Sequence, residues 1–248
     1  MSKTKLVTRR TAILTGLTSL GSLLLPGCTK PLPPTYGNLL RMGDVLTYTA
    51  HRALLPGQSL VKEYNRGDIS SFPATGTTNP SDPARTYTVS EPYGRFLKNS
   101  FSDWKLSVEG RVARPGTYSL SDLHSFPAKK QITRHTCEEG WTAIAEWTGV
   151  PLSIVLNNAG IMPTARFVNF YTYDGWIDSI DLMDAFHPQT ILAYGMNGKD
   201  LLVPHGAPLR LRVETQVGYK SMKYLERIVV TDEFMDLGDS GWAWYVGI

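Results

Sequence analysis

Gln131 to Trp147 reads QITRHTCEEGWTAIAEW. A strand-like run, Gln131 to Arg134, leads into Cys137, and a Gly-Trp pair follows it. Around the sulfur stand Arg134, His135, Glu138, Glu139 and two tryptophans. Reactive side chains are carried disproportionately on such connections between rigid elements.

Outward from this stretch, short strands recur. Trp104, Leu106 and Val108 alternate with polar residues, the pattern of a half-buried strand. Ala165 to Tyr173 is aromatic and β-branched, Thr190 to Tyr194 and Leu201 to Val203 flank an Asn197-Gly198 hairpin turn, and Arg227 to Thr231 is a further strand. Helices are brief. Ser121 starts one that stops before Pro127, Asp181 to Phe186 is another, and Leu152, Val155, Leu156 and Ala159 share one apolar face ended by Gly160. Residues 35 to 100 show weak periodicity, with a turn-dense run from Ser71 to Pro83, and read as a long irregular segment. The pattern predicts an α+β domain of mixed β-sheets with short helices.

The chain has 248 residues and 42% apolar residues, enough to bury a full core in one large domain or two small ones. Its 22 glycines and 16 prolines favour turns and sheet over long helices. The net charge of +3 comes from Lys3, Lys5, Arg9 and Arg10, in a leader without acids; removing those four leaves 21 basic residues against 22 acidic ones. A nucleic-acid partner is therefore not expected.

Residues 1–28 read as an export signal. A basic end precedes an apolar run, Ala12 to Leu25, too short to span a bilayer comfortably. Thr8-Arg9-Arg10-Thr11 resembles a twin-arginine signal, whose export machinery carries folded proteins; an ordinary secretory signal is the alternative. Leu25-Pro26-Gly27-Cys28 resembles a lipoprotein cleavage box, so Cys28 is either lipidated or discarded by nearby cleavage. Either fate leaves Cys137 unpaired in an oxidising compartment. It is then a reactive or metal-bound sulfur, or an inert packed one.

HExxH, CxxC, GxSxG and P-loop patterns are missing, and the five histidines never show i, i+4 spacing, so a zinc hydrolase is not supported. His205 to Lys223 says more. Arg210 and Arg212 alternate with Leu209, Leu211 and Val213, and a glycine turn ten residues later presents Lys220 and Lys223. Guanidinium forks, ammonium charges and free turn N–H groups suit a phosphate; a solvated strand edge is the plainer reading.

RHTCEEGW, the Asn-Gly turn, HGAPLRLRVE and GYKSMKY, in that order, resemble the sulfite-oxidase-type molybdopterin-dependent oxidoreductase domain. The likeness is to its exported single-domain bacterial members, a group that includes periplasmic methionine sulfoxide reductases. It covers about Trp104 to Ile248, with a weaker extension to Ile69. It implies residues 1–28 as export signal, 29–68 as tether and extension, and 69–248 as the oxidoreductase domain.

The resemblance implies a molybdenum–molybdopterin cofactor with Cys137 as the metal ligand. Thr172, His205, Arg210, Lys220, Ser221, Met222 and Lys223 fall where the pterin and its phosphate are held. Glu139 falls where the sulfoxide reductases also carry an acid near the metal. It implies two-electron, oxygen-atom-transfer redox chemistry on a small substrate in the periplasm or cell envelope. Electrons would pass to or from a cytochrome or haem-containing membrane subunit, and Trp242, Trp244 and Tyr245 are candidates for docking it or for core packing. A sulfite dehydrogenase and a non-catalytic module of the same fold are the alternatives. The chain departs from the sulfoxide reductases at Ile69 to Pro73, where they carry an Asn-rich, aromatic pterin-gripping loop, and at His205, where they carry Asn.

Overall fold

Two five-stranded sheets carry the fold in the computed structural model, which describes residues 59–71 and 73–233 besides isolated positions 46, 50, 53 and 54. The leader, Cys28, the tether, Phe72 and the run containing Trp242, Trp244 and Tyr245 lie outside the described residues. No helix among the described residues is long and apolar enough to cross a membrane.

The first sheet is mixed, in the order β2 (Gly116–Ser119), β1 (Lys105–Gly110), β10 (Leu225–Thr231), β5 (Phe167–Thr172), β6 (Ile177–Asp181). β1 and β10 run parallel and the other neighbours antiparallel. The second sheet is antiparallel: β3 (Lys129–Thr136), β4 (Thr142–Pro151), β7 (Ile191–Met196) and β8 (Lys199–Asp200), with β9 (Arg210–Arg212) also on β7.

Four short helices accompany the strands among the described residues. α1 (Glu91–Lys98) is capped by Ser90, whose hydroxyl accepts from Tyr93 N, and α2 (Leu120–Ser125) begins at a Ser119–Asp122 capping box. α3 (Leu152–Ala159) ends at Gly160, at φ +73°. α4 (Leu182–Ala185) is capped by Asp181. The expected apolar face of α3 is fully buried, in one cluster with Val108, Val168, Phe170 and Ile228 of the first sheet.

Five elements depart from the sequence reading. α1 interrupts the segment expected to be irregular. β2 and β6 were not anticipated, and neither was β4, directly after the Cys137 loop. Both faces of β4 are largely covered, so it lacks the alternation of a half-buried strand; Glu146, 3% exposed, further disguises it. Arg66 and Lys130 compensate that carboxylate at 3.1 and 3.7 Å. Leu201 to Val203, expected as a strand, is instead the entry to a 3-10 turn, Val203–His205. Pro204 has no N–H to give a ladder there.

Residues 59–70 lie along the second sheet. Val61 N donates to Gln189 Oε1, Tyr64 N to Ile132 O and Ser70 N to Ile144 O. The segment thus passes from β3 to β4 across the face that carries Ile132 and Glu146.

A buried ion pair ties the 3-10 turn Gly218–Lys220 to β6. Lys220 Nζ lies 2.6 Å from Asp178 Oδ1 and donates to Ser179 O at 2.8 Å, with both side chains nearly inaccessible. Removing one partner strands the other charge in the interior. Lys220→Met is expected to destabilise the fold by about 3–5 kcal/mol in urea unfolding. Lys220→Met with Asp178→Leu, which removes both charges, should recover most of that loss.

Candidate active site

The β3–β4 hairpin presents Cys137. β3 and β4 pair without interruption from Lys129↔Gly149 to Thr136↔Thr142, which leaves five residues for the turn. Cys137 N donates to Trp141 O at 2.9 Å, Gly140 N donates back to Cys137 O at 3.1 Å, and Gly140 sits at φ +90°, where a side chain would be strained. The sulfur projects into a cavity of about 290 Å³.

Two carboxylates flank the thiol. Sγ lies 3.4 Å from Glu138 Oε2 and 3.9 Å from Glu139 Oε2, and Trp141 Nε1 orients Glu139 with a 2.8 Å hydrogen bond. Burial, reinforced by both carboxylates, pushes the Cys137 thiol up to about 11. By itself it is a protonated thiol. A cation seated beside it would favour the thiolate and satisfy the carboxylates. Among the described residues no group of three or more His, Cys, Asp or Glu is placed to hold a metal ion. A metal here would take one protein sulfur and bring most of its coordination with it.

The opposite end of the cavity is cationic. β9 pairs β7 with Ala193↔Arg210 and Ile191↔Arg212, so both arginines project on one face and reach across the sheet to Trp147 on β4. Their guanidinium carbons lie 4.9 and 4.5 Å from its ring centroid. Far from being a solvated edge, Arg210 is 7% and Arg212 1% exposed. Arg212 is neutralised by Glu214, at 2.8 and 3.0 Å, and also donates to His135 Nδ1 at 2.7 Å.

Arg210 hydrogen-bonds to carbonyls, His205 O at 3.0 Å and Ser221 O at 2.7 Å, and its Nε–H has no hydrogen-bond partner among the described residues. Burial and then Arg212 pull its guanidinium down to about 9. Lys223 Nζ is likewise held by the carbonyls of Thr75, Thr77 and Pro204. Burial and then Arg210 pull it down to about 7. Gly206, at φ +105°, lets Lys223 lie across it; a Cβ there would sit 2.9 Å from the lysine's own. A buried guanidinium and a half-buried ammonium with carbonyl partners suit a compact anion of multiple charge.

The structure brings Cys137, Glu139, His205, Arg210, Ser221, Met222 and Lys223 to the wall of this cavity. Two other residues expected at the cofactor are not among the lining residues, although the Thr172 hydroxyl bonds to Asp174 and Trp176, which are. Lys220 spends its ammonium on Asp178, and the Thr172 hydroxyl sits in the β5–β6 turn, 2.5 Å from Asp174 Oδ1 and 2.9 Å from Trp176 O. Arg134, a neighbour of Cys137 in the sequence, stacks over Tyr64 at 5.2 Å and is not among the lining residues. Trp147, His135 and Tyr219 also line the cavity. The pairing of β3 with β4 turns Gln131, Thr133 and His135 to the same face as Ala145 and Trp147, and on β4 no alternation in the sequence marks it.

The cavity fits an acceptor-rich, anionic ligand. Three of its lining residues, Trp147, Arg210 and Tyr219, carry buried donors without a hydrogen-bond partner among the described residues. Small side chains, Ala143 and Ala145, form part of the wall between the sulfur and the cations.

His135 is held neutral. Burial, then Arg212, Arg210 and Lys223, pull it down to about 2. An unfolded histidine titrates near 6.5, so below that pH the unfolded chain binds a proton that the folded one refuses, and stability falls from about pH 6.5 toward 2. His135→Asn keeps an acceptor for Arg212 and removes the titration. Its stability, followed by urea unfolding between pH 6 and 4, should fall less steeply than the wild type's, by up to about one proton per molecule.

Comparison with known proteins agrees with this architecture. The family model of the oxidoreductase molybdopterin binding domain matches residues 94–236. A putative protein-methionine-sulfoxide reductase subunit, YedZ1 of Azospira oryzae, is 37% identical over 148 residues, 59% of this chain and 56% of the relative. The protein-methionine-sulfoxide reductase catalytic subunit MsrP of Xanthomonas campestris pv. campestris is 30% identical over 225 residues, 84% of this chain and 65% of the relative. The chain thus spans less than two thirds of the length of either. The sulfane dehydrogenase SoxCD of Paracoccus pantotrophus is similar in structure, with a TM-score of 0.51 and 25% identity over 53% of this chain and 39% of that one. The expected α+β arrangement of mixed sheets and short helices is the one found, and the chain belongs to the oxidoreductase molybdopterin binding domain family.

Proposed function

We propose that this chain is an exported molybdenum–molybdopterin oxidoreductase that carries out two-electron, oxygen-atom-transfer chemistry on a small substrate. One observation carries the reading: a single cavity is lined by Cys137 and by two cations, the buried Arg210 and the half-buried Lys223.

In this reading Cys137 is the metal ligand, matching the affinity of soft metals for thiolate. Arg210 and Lys223, with Ser221 and His205 beside them, hold the pterin's phosphate. His205 is suited to a neutral role there, since burial, Arg210 and Lys223 all lower its pKa. Met222, 4% exposed, packs the turn between Ser221 and Lys223 into the apolar core. When bound, the cofactor supplies a centre that changes its charge state by two electrons. Glu139, oriented by Trp141, holds or passes a proton beside the reacting atoms.

The carboxylates at the sulfur end favour a neutral sulfoxide or N-oxide over sulfite, an anion that Glu138 and Glu139 would repel. Two of the relatives bear the names of methionine sulfoxide reductase subunits, which supports the same direction. Electrons pass to or from a cytochrome or haem-containing membrane subunit. The twin-arginine leader takes the protein, folded around its cofactor, to the periplasm, where Cys28 is lipidated or removed.

Protein purified after export on its own leader should contain molybdenum by metal analysis and reduce sulfoxides or N-oxides with an artificial electron donor. Cys137→Ser should abolish turnover while circular dichroism and Tm stay near wild type; unchanged turnover would refute the ligand assignment. Replacing both Arg9 and Arg10 with Lys should hold the precursor in the cytoplasm, as read by cell fractionation. Normal export of that variant would point to the ordinary secretory route.

A further inference from the structure

Nine buried side-chain polar atoms lack a hydrogen-bond partner among the described residues. Six belong to residues away from the cavity: Trp104, Gln131, Thr133, Asn169, Ser179 and Thr190. Of the remaining three, Trp147 Nε1 and Arg210 Nε belong to the cationic end, where the guanidinium stacks on the indole. The third is the Tyr219 hydroxyl, and its surroundings differ.

Tyr219 stands in the 3-10 turn Gly218–Lys220, whose backbone closes against the Cys137 hairpin. A Cβ on Gly218 would fall 2.5 Å from His135 Nε2 and 2.9 Å from Thr136 O, so glycine is what allows the turn to press onto the end of β3. The turn is pinned from behind by the Lys220–Asp178 pair, and Lys220 Nζ lies 5.3 Å from the Tyr219 ring centroid. Tyr219 therefore enters the cavity wall from a rigid base, in company with Cys137 and Glu138. Burial, then the charges of Asp178 and Glu138, keep its phenol protonated well above the physiological range. The hydroxyl is a neutral, buried donor with nothing to donate to.

A buried hydroxyl without a partner is costly to the fold, and such groups persist where a ligand completes them. We infer that the Tyr219 hydroxyl is a substrate-binding catalytic group that donates a hydrogen bond to the oxygen atom of a neutral S- or N-oxide seated beside Cys137. Glu138 and Glu139 can only accept when ionised, and Cys137 is assigned to the metal, so Tyr219 supplies the neutral donor at that end of the cavity. A preorganised donor of this kind stabilises charge that develops on the oxygen as its bond to sulfur or nitrogen weakens. The inference rests on the oxidoreductase reading above.

Tyr219→Phe removes the hydroxyl and nothing else. The test compares wild-type and Tyr219→Phe holoprotein, exported on the native leader, for molybdenum content, Tm, and kcat and KM with dimethyl sulfoxide, methionine sulfoxide and trimethylamine N-oxide under reduced benzyl viologen. The expected result is unchanged molybdenum, a Tm equal to or above wild type, and a kcat lowered by roughly a hundredfold with the best of the three substrates. A kcat within about twofold of wild type overturns the inference and leaves the oxidoreductase reading intact. A lower Tm shows a hydroxyl employed in the fold, and molybdenum lost in step with activity shows one that retains the cofactor; either result also overturns it. Wild-type protein without molybdenum, or inactive on all three oxides, sinks the underlying reading and the inference with it.

Discussion

The site depends on two buried guanidinium groups stacked on one indole. Arg210 and Arg212 reach Trp147 across β7, and the register of three neighbouring strands brings them there. Arg212 pairs directly with Glu214; Arg210 and Lys223 hydrogen-bond to carbonyl oxygens, with the charges of Glu214 and Asp174 acting on them from further off. A buried charge is expensive, and carbonyl oxygens and a π-face help to sustain these two. The rest of the site follows. β3 turns Gln131, Thr133 and His135 inward to meet this network, although Gln131 and Thr133 are polar, and Gln131 Nε2 donates to Glu214 Oε1. His135 stays neutral because burial, and then the guanidinium at its Nδ1, disfavour its charged form.

The same arrangement divides the cavity electrically. One end holds cations that await a multiply charged anion, and the other holds a thiol between two carboxylates, which favours a cation. Few single ligands satisfy both ends; a phosphorylated organic group carrying a metal does. The polarity of the cavity therefore argues for the family's cofactor independently of sequence similarity.

Much of this was legible in advance. Cys137 stood out by cysteine arithmetic, and Arg210 and Lys223 by strand alternation followed by a glycine turn. The α3 face and the Asn197-Gly198 hairpin were readable because local periodicity and turn chemistry decide them. Lys220 and Thr172 were expected at the cofactor and are not among the lining residues of the cavity. Spacing along a chain does not say which of two lysines three residues apart turns to the cavity, and a carboxylate from β6, 42 residues away, claimed one of them. β4 was hidden because covering both its faces erases the period on which strand reading relies.

By itself the sequence determined the parts whose physics is local: short strands and helices, the hairpins, and cations at fixed intervals along a strand. Only the tertiary structure decided which charges pair directly, because that depends on partners brought from distant strands. It seated Trp147 beneath two arginines, paired Glu214 directly with one of them, and left the Tyr219 hydroxyl buried without a partner among the described residues. Burial turns an ordinary lysine, arginine or phenol into a group that requires a ligand, and burial is a property of the whole fold.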